Sequence, residues 1–470
     1  MSETYELAVI GAGPAGMEAA ISACQAGVKT VVIDNYPQAG GQYYKALPAA
    51  FTASRNSRAE KEGDYLTAQL ATMPATKIYN AQAWGIFEEE KGEGWLVAID
   101  GLDAPKEVHT RMLILANGAY ETPVAFPGWT LPGVITCGAA LTLVKTWRVA
   151  PGKVALVTGT GPLLLSAAAH LIEAGVRVVG VCETTRILPK GILYGPTMLG
   201  QWQRLQEGAK YLSVMRRGKT PYKTGWSIVE AHGKDHVEEA VIAKVDINSV
   251  PIAGTEQTVK VDTVVSGFGL IPNTDLARMI GCKLEYNSKK GGWVPVRDET
   301  LQTSLPGVYM AGDGAGIGGA ENSRLEGRIV GVAAAVRVGK MSIRKAEEIN
   351  RKMKPELAQQ RRFGRLLGDL FSPKPGLSSL AHDETIICRC EELNKKEILA
   401  AIADGGESVT WVKRMTRAGM GMCQGRSCGR QVAQLIAQQN SLDPGQVLPD
   451  TQRPPERPIR LEILEENTER

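Results

Sequence analysis

Short apolar runs recur along the chain, and most of them end in glycine. Tyr5-Glu-Leu-Ala-Val-Ile10 reads as a strand buried on both faces, the pattern of a parallel sheet. Gly11-Ala-Gly-Pro-Ala-Gly16 ends it, a helical stretch covers Met17–Ala26, and a second strand covers Thr30–Asp34. Residues 78–101 alternate and carry turn signals, which predicts an antiparallel excursion. Met112–Ala116 is another apolar strand, and a second strand–turn–helix–strand unit runs from Lys153 to Glu183. Thr263–Phe268 and Gly307–Ala311 are short apolar strands leading into glycine-rich turns. Charged helix follows over roughly 342–367, Phe371-Ser-Pro-Lys-Pro-Gly376 reads as a linker, and 384–440 forms a compact unit before an extended tail. Strands alternating with helices in two separate units predict an α/β chain with two Rossmann-like domains.

Composition changes this picture little. In 470 residues, 43% hydrophobic and 22% charged content are ordinary for a globular enzyme. The 52 glycines fall in clusters, as tight strand-to-helix turns require. A net charge of +4 without a basic stripe gives no reason to invoke nucleic acid. Val154–Ile172 is nearly uncharged, but Gly159, Gly161 and Pro162 make it a strand–turn–helix and not a transmembrane segment. The start leads directly into a strand, so no signal peptide is expected and a cytoplasmic location follows. Eight cysteines in a reducing compartment then read as metal ligands or core residues.

Gly11, Gly13 and Gly16 form GxGxxG, with Pro14 and Ala15 between them at the helix start. The first glycine permits the turn, the second lets backbone approach a pyrophosphate, and the third lets helix and strand pack closely. Free N–H groups at the helix start would face the phosphates, and Asp34 at the end of the next strand would take the ribose hydroxyls. Gly307-Val-Tyr-Met-Ala-Gly312-Asp313 resembles the motif of the two-dinucleotide-binding flavoproteins whose Asp holds the ribityl chain of FAD. Leu115-Ala-Asn117-Gly118 resembles the segment that closes their FAD domain, and Gly40-Gly41-Gln42 their flavin-contacting loop.

Gly159-Thr-Gly161-Pro162-Leu163-Leu164 repeats the fingerprint with leucine where the third glycine belongs, so the turn geometry should differ. Glu183 is the matching ribose acid, and Gly267-Phe-Gly269 lies where the chain returns to the FAD domain. NAD(H), another adenine nucleotide, or an empty turn all remain open here. Cys24, Cys137, Cys182 and Cys282 are isolated, which speaks against dithiol chemistry. The five histidines are scattered, no general base stands out, and no catalytic residue is assigned.

Cys388-Arg-Cys390 and Cys423-x4-Cys428 can bring four thiolates together, for structural zinc or for an iron–sulfur cluster. Arg389, Lys413, Arg414, Arg417, Arg426 and Arg430 surround them in sequence and would offset the charge of a thiolate-ligated cluster. Together these segments resemble the bacterioferritin-associated-ferredoxin-like (BFD-like) domain, which implies a 2Fe–2S cluster.

The order of these motifs is similar to the α-subunits of multi-subunit amino-acid and opine dehydrogenases, the group of hydrogen cyanide synthase, octopine and nopaline oxidase, proline dehydrogenase and D-hydroxyproline dehydrogenase. The resemblance implies an FAD domain at 1–120 and 265–345, a second dinucleotide domain at 121–264 and a helical linker at 346–383. A BFD-like domain at 384–440 and a tail at 441–470 complete it. It further implies an electron-transfer subunit paired with a β-subunit flavoprotein of sarcosine-oxidase type. A small ferredoxin-like γ-subunit, FMN at a subunit interface, ADP or ATP at the second site, and a peripheral link to the respiratory chain belong to the same expectation. The alternative is a self-sufficient NAD(P)H-dependent reductase of a ferredoxin-like carrier.

Overall fold

A computed structural model describes residues 4–45, 47, 57–186 and 201–465; the ends of the 1–120 and 441–470 segments lie outside these. The chain divides into two compact units. One comprises residues 1–120, 271–365 and 451–470, the other 121–270 and 366–450.

In the first unit five parallel strands stand in the order Val308–Met310, Leu113–Leu115, Leu7–Ile10, Thr30–Ile33, Thr76–Ile78. Sequence order reverses between Leu7–Ile10 and Leu113–Leu115, and a ligand crevice opens beyond the strand ends at such a switch point. Leu7–Ile10 and Thr30–Ile33 are buried throughout, which explains why their sequence does not alternate. The helices Pro14–Gln25 and Ala320–Arg337 pack together in near-backbone contact. A Cβ on Gly327 would stand 2.2 Å from the Ala15 carbonyl oxygen, and one on Gly331 2.5 Å from that of Ala19. The expected antiparallel excursion is present as Gln82–Glu88, Trp95–Asp100 and Glu107–Thr110. The tail lies along it: the Glu456 N–H donates to Trp84 O at 2.8 Å, and Arg460 pairs with Asp100.

The second unit repeats the plan. Val134–Thr136, Thr263–Gly267, Val154–Gly159, Arg177–Glu183 and Tyr222–Thr224 form a parallel sheet, beside an antiparallel layer of Trp226–His232, Glu239–Lys244 and Gln257–Lys260. The cysteine segment follows a helix, Ile343–Phe371, and a short 3-10 turn, Pro375–Leu380. It is built from the helices Lys395–Ala403, Val409–Thr416 and Gly429–Gln439 with a two-stranded ladder. Phe126, Trp129, Phe268, Ile387, Val412 and Ile436 belong to one continuous apolar core. The Trp129 indole N–H donates to Ile386 O at 2.6 Å, and the Ala125 N–H to the Gln431 side chain at 3.0 Å. The segment is therefore packed on residues 121–270 and is not a separate bead.

Candidate functional site

The first fingerprint has the geometry its glycines predict. Gly11 has φ +101°, and a Cβ on it would meet Ala116 O at 2.4 Å. A Cβ on Gly16 would stand 1.8 Å from Gly11 O, so the third glycine is fixed by backbone contact. Gly13 differs. Its φ is −74°, and the nearest atom to a Cβ there is Gly41 Cα at 3.9 Å. Space is therefore kept open in front of the helix, whose first residue is Pro14 and whose start carries no side-chain cap and no acid. Uncapped N–H groups beside an open glycine surface are the donor set a pyrophosphate requires.

The surrounding candidates converge on this place. Asp34 is buried and accepts N–H groups from Ala12 and Tyr36, while burial raises its carboxyl. Gly41 has φ +59° and lies against Gly13, and the Gln42 amide donates to the Tyr36 hydroxyl. Asn117 gives its Nδ2 to Asn273 O at 3.0 Å and keeps a buried Oδ1 with no partner in the structure. Gly118, at φ +68°, accepts the Asn273 N–H. Gly312 takes φ +78°, and the half-buried Asp313 accepts N–H groups from Gly318 and Gly319, each at 2.9 Å. Burial again raises the carboxyl. The next helix starts at Ala320 without a side-chain cap, and Asn322 in its first turn holds a second buried, unpartnered amide oxygen. Orphaned acceptors and an uncapped helix start fit a flavin, whose ring offers an N–H and gathers negative charge on reduction.

The second turn is built differently. Gly159 has φ +139°, and a Cβ there would meet Gly267 O at 1.9 Å, as tight as in the first site. Gly161, however, has φ +108° where Gly13 has −74°, Pro162 precedes the helix, and Leu163 is its first residue. Leu164 is wholly buried, and a Cβ on Gly267 would meet its Cδ2 at 3.4 Å and Cys137 Sγ at 2.7 Å. Leucine thus fills the crossing that glycine closes in the first site. Glu183, wholly buried, accepts N–H groups from Gly161 and Thr185, each at 2.8 Å, and burial pushes its carboxyl up to about 7. Beside the turn, Thr185 donates to Leu370 O, and Phe371 Cβ lies 3.9 Å from the Cβ position of Gly161.

Cys24, Cys137, Cys182 and Cys282 are buried and unpaired, and burial raises each thiol, Cys182 to about 12. A thiol so held is a poor nucleophile. His170, with its ring against Ser166 O, has its pKa lowered by burial and is a packed helix residue.

The four other cysteines meet as two sulfur pairs, Cys388 with Cys428 and Cys390 with Cys423. Cys388 and Cys428 are buried, whereas Cys390 is exposed and Cys423 half-buried. The Cys388 thiol is lowered to about 5 because the Cys428 S–H donates to it, against the cost of burial, with N–H groups of Gly419, Glu391 and Cys390 assisting. Cys428, as the donor, is raised. Among the described residues no group of three or more His, Cys, Asp or Glu is arranged to hold a single metal ion. Two thiol pairs supply the four ligands of a two-iron cluster, and N–H groups aimed at sulfur stabilise the charged ligand such a cluster needs. Arg417 pairs with Glu391, Lys413 with Asp450, and Arg389 lies over the Trp129 ring. These cations are thus partly compensated, which the run of basic residues alone does not reveal.

No motif points to several residues that the fold brings to the Gly312–Asp313 turn: Arg297, Glu326 and Asn322. Arg324 joins Glu18 and Glu62 on two other helices and Glu321 one turn earlier on its own.

Residues 5–339 match the family model of pyridine nucleotide-disulphide oxidoreductases, and residues 386–438 that of the BFD-like 2Fe-2S binding domain. These matches imply FAD and a 2Fe–2S cluster as cofactors. The chain is 32% identical to an opine oxidase subunit of Agrobacterium tumefaciens (strain Ach5), over 99% of this chain and 92% of that one. It is also 32% identical to the HcnB subunit of hydrogen cyanide synthase from Pseudomonas protegens, over 89% of each chain. The crystal structure of L-proline dehydrogenase from P. horikoshii shares the fold at TM-score 0.70 and 22% identity, covering 98% of this chain and 79% of that one. The chain belongs to the pyridine nucleotide-disulphide oxidoreductase family and carries a BFD-like 2Fe-2S domain.

Proposed function

We propose that this chain is the FAD- and 2Fe–2S-carrying subunit of a heteromeric amino-acid, imino-acid or opine oxidase complex. It receives electrons from a partner subunit that oxidises the substrate and passes them toward a respiratory acceptor. The observation that carries this reading is likeness, over 89% or more of each chain, to an opine oxidase subunit and a hydrogen cyanide synthase subunit, in a chain whose described cysteines offer no reactive dithiol. FAD supplies two-electron chemistry that can be released one electron at a time to a one-electron iron–sulfur carrier. Gly11, Gly13, Gly16, Asp34, Gly41, Gln42, Asn117, Gly118, Gly312 and Asp313 would hold it. Cys388, Cys390, Cys423 and Cys428 would hold the cluster.

At the second turn, with Gly159, Gly161, Pro162, Leu163, Glu183 and Gly267, we assign ADP or ATP in place of NAD(H). The altered Gly161 conformation and the Leu164 crossing support this, because a hydride donor must be placed against the flavin and a structural nucleotide need not be. The partner would be a flavoprotein of sarcosine-oxidase type, with FMN at the subunit interface and a small ferredoxin-like γ-subunit completing the set. No helix among the described residues is long and apolar enough to cross a membrane. The assembly is assigned to the cytoplasm, with a peripheral link to the inner face of the membrane. Co-expression with a sarcosine-oxidase-type flavoprotein from the same source tests the proposal. A stable complex that reduces a dye with an amino acid, imino acid or opine is expected, and separate elution of the two chains with no such activity contradicts it.

A further inference from the structure

The turn that presents Asp313 rests on a buried cluster of charges. Glu326 is 3% exposed, in the helix that follows the turn. Its Oε2 accepts the Gly312 N–H at 3.1 Å and lies 3.0 Å from Arg297 Nη1. Arg297 Nη2 reaches Oε1 at 3.4 Å, and Arg361 Nη2 reaches it at 3.5 Å. Arg297 Nη1 also donates to Met310 O at 2.8 Å. One carboxylate and one guanidinium therefore grip the last strand residue and the glycine directly before Asp313. That glycine has φ +78°, which glycine adopts freely and other residues do not, so the hydrogen bonds to Gly312 N–H and Met310 O, and not steric strain, tie the turn to the cluster. Burial works against the Glu326 charge, but Arg297 and then Arg361 outweigh it and keep the carboxyl below its usual range. The same carboxylate acts on Asp313, whose carboxyl it helps to raise.

We propose that Glu326 is the positioning residue of the flavin site: clamped by Arg297 and Arg361, it fixes the Gly312–Asp313 turn and sets the local charge against which the flavin is reduced. The inference rests on the assignment of FAD to this turn. A buried ion pair alone adds little stability, and removing one partner leaves an uncompensated charge. Here that charge would lie beside a redox group, where its sign is measurable. Arg297 and Arg361 both face Glu326, so loss of its charge would leave their field uncompensated beside the flavin, and that field favours the negatively charged reduced form.

The test uses the full chain purified with its flavin, and three variants. In Glu326→Gln an acceptor for the Gly312 N–H and the side-chain volume are kept while the charge is lost. FAD should stay bound and the flavin midpoint potential should rise, because both arginines lose their counter-charge. Arg361→Gln, at a side chain 43% exposed, should leave folding intact and shift the potential the opposite way. Glu326→Ala removes acceptor and charge together and should weaken FAD binding tenfold or more, with rescue by glutamine. Potentials unchanged in both glutamine variants, or FAD held as tightly by the alanine variant as by the wild type, would overturn the inference. Wild-type protein that binds no flavin at all would sink the functional reading itself, a different result from an unmoved potential.

Discussion

Replacing Gly13 by alanine separates the ligand-binding role of the first fingerprint from its folding role. At φ −74° an alanine is unstrained, and its Cβ would meet only Gly41 Cα, at 3.9 Å. Loss of glycine from the N-cap costs roughly 0.5 kcal/mol. The smaller entropy of the unfolded chain returns about 0.4–1 kcal/mol. The ligand-free protein should therefore melt within about 2 °C of the wild type, given that roughly 1 kcal/mol shifts a domain of this size by 2–4 °C. A methyl group placed where the pyrophosphate must approach acts as overpacking of about 1–3 kcal/mol. That corresponds to a roughly 5- to 150-fold loss of FAD affinity. Gly16→Ala is the control. Its Cβ would lie 1.8 Å from Gly11 O, so the helix must shift and the fold itself should fail. The assay is fluorescence titration of deflavinated protein with FAD, alongside thermal melting. A Gly13→Ala variant that binds FAD as the wild type does, or a Gly16→Ala variant that melts normally, would refute the reasoning.

Glu183 predicts a pH dependence at the second turn. Its folded pKa, about 7, lies above the unfolded value of 4.5, so the protonated form is the better buried one. Its contribution is present below pH 4.5 and is lost as pH rises to 7, up to about 3 kcal/mol. The stability of ligand-free Glu183→Gln relative to wild type should rise across this window, and a flat difference in chemical denaturation counts against it. Leu164→Gly restores the glycine pattern but empties a wholly buried site, so it should cost about 2–5 kcal/mol in denaturant melts without conferring NADH oxidation. Cys428→Ser should abolish the visible absorbance of the cluster while the flavin bands survive; retained iron and sulfide at wild-type stoichiometry would contradict the ligand assignment.

Both glycine turns, their acids and the four clustered cysteines are legible in the chain because each is a local pattern. A strand end, a turn and a helix start lie within a few residues, and Gly11 or Gly159 has no alternative where a Cβ would enter a carbonyl. Leu164 marks the second turn as different, but not how. Only the fold shows Gly161 reversing the sign of φ and the leucine packing at Gly267. The thiol pairing of Cys388 with Cys428 is not readable, because spacing limits reach without choosing partners. Arg297 and Glu326 stay hidden for the same reason: separated in sequence, each looks like an ordinary charge until the helix Ala320–Arg337 returns beneath the strand end. The joining of the cysteine segment to the core of residues 121–270 depends on Trp129 and Ile386, whose pairing no periodicity encodes.

Anaerobic mixing of the purified chain, carrying its flavin and cluster, with excess NADH or NADPH, followed by absorbance, separates an electron-transfer subunit from a reductase. The flavin bands are expected to stay oxidised over minutes and to bleach only when the substrate-oxidising partner and its substrate are added. Rapid bleaching by a nicotinamide nucleotide with this chain alone would contradict the electron-transfer role, and would make the protein a self-sufficient reductase.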